Sequence, residues 1–273
     1  MPFRTFAAIA PLALGLAACS SADEVSGEPA VQETDAAGST ATAQAAAGKA
    51  KAVEEETDLY SFAYAYPAAV GALPELAAQF DKDVEDSKAK LIAESEDDKA
   101  SAAENDYPYR PHSFEREWKV VANLPQYLSL TGDFSTYTGG AHGMYGRESL
   151  IWDKQADAGV AGIEMFRSAA ALDSALGDKL CDALNAERGK RRGEPVTPAT
   201  DDPTGFESCQ PVENATVIVG SSNGQAFDRI GIWYGPYVAG PYAEGSFELN
   251  FPVDAAIVEA VKPEYREAFA ARR

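Results

Sequence analysis

One short stretch of this 273-residue chain combines residue types that could contact a ligand. Residues 137–145, here called the glycine hairpin, read Tyr-Thr-Gly-Gly-Ala-His-Gly-Met-Tyr. Glycine permits a tight reversal or a close backbone approach, and loops held by a rigid sheet often carry binding groups. Two interpretations stay open: the hairpin presents a ligand-facing surface, or its histidine only hydrogen-bonds a neighbouring loop. The candidate contact residues are Tyr137, Gly139, Gly140 and His142.

A second candidate segment repeats Gly-Pro-Tyr at a spacing of five residues. Residues 235–245, here called the tyrosine loop, read Gly-Pro-Tyr-Val-Ala-Gly-Pro-Tyr-Ala-Glu-Gly. Proline fixes φ, so the two tyrosines would be presented rigidly and at little entropic cost. We predict that this loop and the glycine hairpin lie close together and form a contact surface. Its candidate contact residues are Tyr237, Pro241, Tyr242 and Glu244.

Sequence motifs of enzymes are missing. The two histidines, His112 and His142, do not stand in a metal-ligand spacing, and there is no Gly-x-Ser-x-Gly elbow, phosphate loop or dinucleotide fingerprint. A carboxylate pair for glycan hydrolysis stays open among 43 acidic residues, but the sequence singles none out. We therefore predict a protein that is not an enzyme and uses no cofactor and no metal.

The amino terminus has the pattern of a targeting segment. Arg4 supplies a positive charge, and the apolar run that follows is too short to span a membrane. The run ends Leu-Ala-Ala-Cys19, which looks like a bacterial lipobox, and Ser20 resembles lipoproteins sorted to the outer membrane of diderm bacteria. We expect residues 1–19 to be the signal peptide, and Cys19 to be lipidated and to anchor the chain on the periplasmic side of a membrane.

The two remaining cysteines, Cys181 and Cys209, indicate a disulfide. Outside the cytoplasm, two leftover cysteines usually pair. A closed loop of about 28 residues would stabilise the fold by roughly 3–4 kcal/mol in the chain-entropy model. The alternative, a thiol pair for metal binding or catalysis, does not suit an oxidising compartment.

The charge of the chain excludes one class of partner. Lys and Arg number 23 against 43 Asp and Glu, which gives a net charge of −20. Nucleic acid needs a basic face, so we predict no nucleic-acid binding. The acidity favours a basic partner, or it only keeps the protein soluble.

Hydrophobic patterning predicts an α+β fold that places the two candidate loops on antiparallel sheets. Aromatic residues alternate along a first strand ending at Tyr66, and a long helix follows from Pro74. A medium helical stripe over residues 166–192 precedes a second set of strands. The predicted regions are the signal peptide (1–19), a disordered tether (20–58), an N-terminal lobe (59–160) and a C-terminal lobe (161–273).

Three features of the folded part resemble one family. These are the aromatic strand ending Tyr-Pro before a long helix, the Thr-Gly-Gly-Ala-His-Gly hairpin and the tyrosine loop. Together they look like the paired extracytoplasmic domains of the RsiV/PdaC type, found in a lysozyme-binding anti-sigma factor and ahead of a peptidoglycan deacetylase. The resemblance implies a two-lobed unit, with a PdaC-like first lobe and an RsiV-like second lobe, in which antiparallel sheets are packed by helices.

The resemblance also implies a binding role. The chain shows no sigma-binding segment, no transmembrane helix and no deacetylase domain, so only the capacity to bind is expected to carry over. The expected partner is a basic protein such as a lysozyme-like muramidase, or peptidoglycan glycan. Two alternatives stay open: a structural envelope lipoprotein without a ligand, and an accessory to a peptidoglycan-modifying enzyme.

Overall fold

The structure, a computed structural model, describes residues 48–198, 202 and 204–272, all within one compact unit of residues 44–273. The predicted signal peptide, the lipidation site Cys19 and tether residues 20–47 lie outside the described residues. The strands are β1 (Lys51–Glu56), β2 (Tyr60–Tyr66), β3 (His112–Asn123), β4 (Tyr127–Tyr137), β5 (Met144–Asp153), β6 (Ala158–Val160), β7 (Thr216–Gly220), β8 (Arg229–Tyr234) and β9 (Phe247–Pro252). The helices are α1 (Ala68–Gly71), α2 (Pro74–Glu104), α3 (Ala169–Leu176), α4 (Asp178–Arg192) and α5 (Ala255–Ala260). Short 3₁₀ helices cover Gly162–Met165, Val212–Asn214, Tyr242–Glu244 and Pro263–Ala268.

Six strands form the first sheet in the order β1-β2-β3-β4-β5-β6. Four of its five pairings are antiparallel, but β2 and β3 run parallel with Tyr60 opposite His112. A parallel pair needs a long crossover, which here is helix α2. The predicted α+β class and long helix are therefore confirmed, while a purely antiparallel first sheet is wrong for this one pair.

The strand β1 lies inside the predicted tether, so both the predicted end of the tether at residue 58 and the predicted start of the folded lobe at residue 59 are wrong. We expected residues 20–58 to be disordered, because their composition lacks large apolar residues. Residues 51–56 instead pair with β2 along its length, and Val53 packs against the core. Two ion pairs tie this strand to α2, Lys51 with Asp81 at 2.7 Å and Glu55 with Lys88. Pairing with an aromatic strand supplies the stability that the composition of β1 lacks.

One face of the first sheet packs on α2. The aromatic side chains of β2 alternate inward as predicted, and Trp118 of β3 and Trp152 of β5 lie in the same hydrophobic cluster. From α2, the cluster takes residues at helical spacing: Leu76, Phe80, Val84 and Leu91. The helix continues through the charged stretch after Glu94 and ends at Glu104. The opposite face of the sheet is left free of this helix.

The second sheet has three antiparallel strands in the order β7-β8-β9 and packs with α3, α4 and α5. The predicted medium helix is two helices, because the chain breaks at Gly177 with φ 56°. The predicted disulfide is present and joins Cys181 of α4 to Cys209, with Cα atoms 5.1 Å apart. Residues from β3, β4 and β5 also belong to this hydrophobic cluster, so the first sheet contributes to two clusters, one shared with α2 and one shared with the second sheet.

No helix among the residues that the structure describes is long and apolar enough to cross a membrane.

Candidate functional site

The glycine hairpin connects β4 to β5, as predicted. Gly139 has φ +82°, a left-handed conformation that glycine adopts without strain. At Gly143, a Cβ would lie 2.8 Å from the carbonyl oxygen of Thr136, so this position also requires glycine. The two glycines let the chain reverse tightly and leave His142 exposed at the tip.

The tyrosine loop connects β8 to β9 and presents one tyrosine in an uncommon backbone conformation. Tyr237 has φ 66°, in the left-handed region that non-glycine residues rarely occupy, and 48% of its surface is exposed. Tyr242 begins the 3₁₀ helix Tyr242–Glu244 and is half-buried. A strained backbone carrying an exposed aromatic ring is a feature that often marks a functional surface.

The structure brings the two segments into contact through their rings. The imidazole of His142 stacks on Tyr242 with centroids 4.0 Å apart and an interplanar angle of 23°. Tyr237 lies 5.5 Å from Tyr242, and Tyr145 meets Tyr242 edge-on at 6.2 Å. These four side chains, His142, Tyr145, Tyr237 and Tyr242, are called the aromatic cluster below.

Hydrogen bonds fix the orientation of the imidazole. The Nδ1 of His142 lies 2.9 Å from the carbonyl oxygen of Gly143, which can only accept, so Nδ1–H donates. In the neutral ring Nε2 is then an acceptor, and it lies 3.3 Å from the hydroxyl of Tyr237. The hydroxyl of Tyr242 donates to the same Gly143 carbonyl at 2.9 Å. One carbonyl of the hairpin therefore holds two rings of the cluster.

Other predicted contact residues support the loops from outside the cluster. The hydroxyl of Tyr137 donates to the carbonyl of Gly140 at 3.0 Å and closes the hairpin, with Arg110 donating to both oxygens at 3.4 Å. Pro241 precedes the 3₁₀ helix as its N-cap, with φ −64°. These positions shape the surface and lie beside it.

The carboxylate of Glu244 is already bonded within the protein. Arg192 of α4 donates Nε and Nη2 to its two oxygens at 2.8 and 3.1 Å, and this pair raises the pKa of Arg192. Arg191 also donates to the backbone carbonyl of Glu244. The prediction placed Glu244 among contact residues, whereas the geometry assigns it to anchoring the loop on α4. The basic end of α4 is explained by this anchor as well as by the helix dipole.

A cleft of about 520 Å³ opens on the face of the first sheet opposite α2 and borders the aromatic cluster. The strand register places one residue of each strand in a row across it: Glu54, Ala63, Glu115, Ser135 and Tyr145. Four strand spacings make this row about 19 Å long. It ends at Tyr145, which belongs to the aromatic cluster, so the cleft and the cluster form a continuous surface.

A second row ends at a cation that connects the two sheets. It runs Ala52, Ala65, Glu117, Asp133 and Arg147. Arg147 donates Nε to Asp133 at 2.5 Å and Nη1 to Glu248 of β9 at 2.6 Å, and it lies 5.6 Å from the ring of Trp233. Trp233 of β8 forms the far wall of the cleft.

We call this cleft the sheet cleft. Its floor carries more acidic than basic side chains. Glu117 pairs with Lys119 at 2.8 Å and Asp133 pairs with Arg147. In the described part of the chain, no cation pairs with Glu54 or Glu115. Both residues are exposed, with Ala63 between them in the row, and Glu115 accepts a long hydrogen bond of 3.5 Å from Ser135. The surface combines exposed rings with unpaired acidic groups.

Sequence reasoning missed the sheet cleft. Tyr145 stood inside the glycine hairpin but was not singled out, and Glu54 lay in the supposed tether. Glu115 and Trp233 belong to alternating strand patterns that indicate an exposed or buried face but not the neighbouring strand. The row becomes visible only when the pairing register is known.

Metal chemistry has no ready ligand set here. Within residues 48–198, 202 and 204–272, no group of three or more His, Cys, Asp or Glu side chains could hold a metal ion. Both described cysteines are joined in the disulfide. The arrangement offers stacking faces, hydroxyl groups and carboxylates, which suit recognition of a partner.

Comparison with protein families gives one match. Residues 53–145, about a third of the chain, match the family described as Deacetylase PdaC. The match begins in β1 and ends at Tyr145, the second residue of β5, so it covers most of β1, the strands β2 to β4, helix α2 and the glycine hairpin. The predicted resemblance of the first part of the chain to PdaC-like domains is confirmed. No curated protein matches the chain.

Two solved structures of DUF3298 family proteins are similar to this chain. One is a family member from Bacteroides fragilis NCTC 9343, with 17% identity, a TM-score of 0.50, and coverage of 81% of this chain and 98% of that one. The other, from Pseudomonas aeruginosa PAO1, has 14% identity, a TM-score of 0.47, and coverage of 82% and 98%. At this identity the first likeness supports the fold alone.

Proposed function

We propose that this chain is a binding protein of the bacterial cell envelope whose ligand is a basic protein, with a lysozyme-like muramidase as the partner class. The observation that carries the proposal is the continuous surface formed by the aromatic cluster and the sheet cleft. Rigid tyrosines are typical of the centres of protein interfaces, because they bury a large area and lose little conformational entropy. No group with an obvious chemical task accompanies them, which favours binding over catalysis.

Charge gives the proposed surface its preference for a basic partner. Glu54 and Glu115 project from the floor of the sheet cleft, and the whole chain carries a net charge of −20. Lysine and arginine side chains of a partner could pair with these carboxylates while its surface packs on the rings. Such complementarity accelerates association and rejects acidic partners.

The proposal also includes a cellular location, which rests on the amino-terminal sequence. Cys19 would carry the lipid, and the segment after it would hold the folded unit away from the membrane on the periplasmic side. We propose the outer membrane of a diderm bacterium, because Ser20 follows the lipidated cysteine. Growth with a radiolabelled fatty acid would label the chain, and Cys19→Ala would abolish the label.

Stacked rings also suit sugars, so peptidoglycan glycan is a second candidate. The stacking of His142 on Tyr242 at 4.0 Å is the observation that favours it. A parallel pull-down distinguishes the two ligands. The purified chain is incubated with immobilised lysozymes of several types and, separately, with insoluble peptidoglycan.

Retention on a lysozyme supports the proposal, retention only on peptidoglycan replaces the partner with glycan, and retention on neither contradicts a binding role. Carboxylate variants refine the test. Glu54→Gln with Glu115→Gln is expected to weaken retention on a lysozyme, whereas Glu96→Gln, on the exposed side of α2, should have no effect.

A further inference from the structure

The last turns of α4 hold the tyrosine loop at two points. Arg188 donates Nε to the carbonyl oxygen of Ala239 at 2.9 Å, between the two tyrosines of the loop. Arg192 makes the two bonds to Glu244 described above, directly after Tyr242. These contacts leave the loop little freedom to move relative to the helix.

Arg188 is unusual because it is completely buried and has no carboxylate partner among the residues that the structure describes. Its exposed surface is 0%, and burial lowers the pKa of its guanidinium. Besides Ala239, its Nη1 donates to Asn185 Oδ1 at 2.9 Å and to the carbonyl of Ser208 at 3.0 Å. A buried charge is costly unless its donors are used, and here Nε and Nη1 make all three bonds while Nη2 has no partner among the described residues. Arg188 is therefore expected to fix the positions of its three partners. Two of these partners are backbone carbonyls of loops.

The disulfide fixes one of those carbonyls. Ser208 precedes Cys209, which is bonded to Cys181 two turns before Arg188 on the same helix. Asn185 donates to Cys181 Sγ at 3.3 Å, so it links the disulfide to Arg188. The cross-link therefore sets the position of a group that Arg188 binds.

We propose that Arg188 and Arg192 are positioning residues that hold Tyr242 stacked on His142, and that the Cys181–Cys209 disulfide supports Arg188 in this task. The contacts run from the disulfide through Ser208 and Arg188 to the tyrosine loop, and from there to the glycine hairpin. This inference deepens the proposed function, because it names what sets the geometry of the binding surface. Its test needs no partner, so its failure is distinguishable from failure of the binding proposal.

Proton NMR of the two histidines reads the stacking directly. An aromatic ring stacked at 4.0 Å changes the chemical shifts of its neighbour's protons through its ring current. The imidazole protons of His142 therefore report on Tyr242. His112 is 4% exposed and has Asp98, at 3.2 Å, as its hydrogen-bond partner instead of a residue of the tyrosine loop, so it is an internal control in the same spectrum. His142→Gln assigns the lines, and Tyr242→Ala gives their unstacked positions.

The expected result is a selective movement of the His142 lines. In Arg188→Met, in Arg192→Met and in the chain with Cys181→Ser and Cys209→Ser, these lines should move toward their positions in Tyr242→Ala, while the His112 lines stay. Loop amides such as that of Val238 should also exchange with deuterium about tenfold faster. Lys179→Met is the matched control on α4, because Lys179 bonds Asp254 at 2.9 Å and not the loop.

Unmoved His142 lines in Arg192→Met and in the chain with Cys181→Ser and Cys209→Ser would overturn the proposal. If Arg188→Met moves the lines of both histidines, the fold as a whole has changed in that variant. The Arg192→Met result then decides, because Arg192 lies nearer the surface and its loss leaves no fully buried gap.

Discussion

Tyr237 combines a backbone conformation that costs stability with a side chain that is largely exposed. Its backbone has φ 66° and its ring is 48% exposed, with contacts to His142 and Tyr242 at the edge of the aromatic cluster. Holding a non-glycine residue in this region costs on the order of 1 kcal/mol. The ring gains little burial in return, and the proposed function accounts for this conformation because it presents the ring to a partner.

Replacing Tyr237 with glycine separates these two roles. Glycine adopts the left-handed conformation without a Cβ penalty, so the free energy of unfolding is expected to stay the same or rise by up to about 1 kcal/mol. Binding to a lysozyme should weaken at the same time. Urea denaturation measures the first effect. A loss of stability above about 1 kcal/mol would show that the ring stabilises the fold instead.

At the scale of elements, β1 decides where the folded unit begins. It forms the edge of the first sheet beside β2, and its Glu54 lies in the sheet cleft. Gly48 packs so closely against α1 that a Cβ there would lie 2.1 Å from the backbone nitrogen of Ala72. The strand and residues 48–50 are therefore structural parts of the unit.

Truncation tests this boundary. A chain beginning at Leu59 loses β1 and leaves the aromatic strand β2 unpaired at the sheet edge, so its midpoint of thermal unfolding should fall by at least about 5 °C. A chain beginning at Gly48 should unfold at the temperature of the full chain. Circular dichroism follows both transitions. Equal midpoints for the two truncated chains would show that β1 adds nothing to the fold.

The elements were predictable from the sequence where local patterns decide them. Alternation located β2 and the strands on both sides of the glycine hairpin to within a residue or two, and Pro74 marked the start of α2. The strand β1 was missed because the segment around it has few large apolar residues, with Val53 the only one in the strand, and such a composition is typical of a disordered tether. The parallel pairing of β2 with β3 was missed because pairing is a long-range property that no local pattern contains.

The candidate site was also predictable from the sequence only where local patterns decide it. Residue types and turn chemistry indicated His142 and the tyrosines, and the structure places them in contact. The role of Glu244 could not be read from the loop, because it depends on Arg192, which is 52 residues away in the chain. The acidic rows of the sheet cleft arise from register across five strands, which the sequence does not specify.

At the scale of the whole molecule, the proposed function gives charge a role in the approach of a basic partner. A net charge of −20 would attract such a protein, and the carboxylates of the sheet cleft would direct that attraction toward the aromatic cluster. Contact between the rings and the partner is short-ranged and depends little on salt. Association and dissociation should therefore respond differently to ionic strength.

Surface plasmon resonance with an immobilised lysozyme measures this difference. Raising sodium chloride from about 0.05 to 0.5 M shortens the range of the field and should lower the association rate constant by about tenfold or more. The dissociation rate constant should change less. A partner that binds equally fast at both salt concentrations would contradict the role assigned to the acidic surface.

The central claim is that the aromatic cluster is the contact surface for a basic protein, and calorimetric titration of a lysozyme into matched variants tests it most directly. Tyr242→Ala should make the free energy of binding less favourable by about 2 kcal/mol, the loss typical of a tyrosine at the centre of an interface, while thermal unfolding stays cooperative. Tyr107→Ala removes a tyrosine that is 43% exposed beyond the end of α2 and should bind like the unchanged chain. Equal affinities for all three chains, or no heat with any type of lysozyme, would contradict the account.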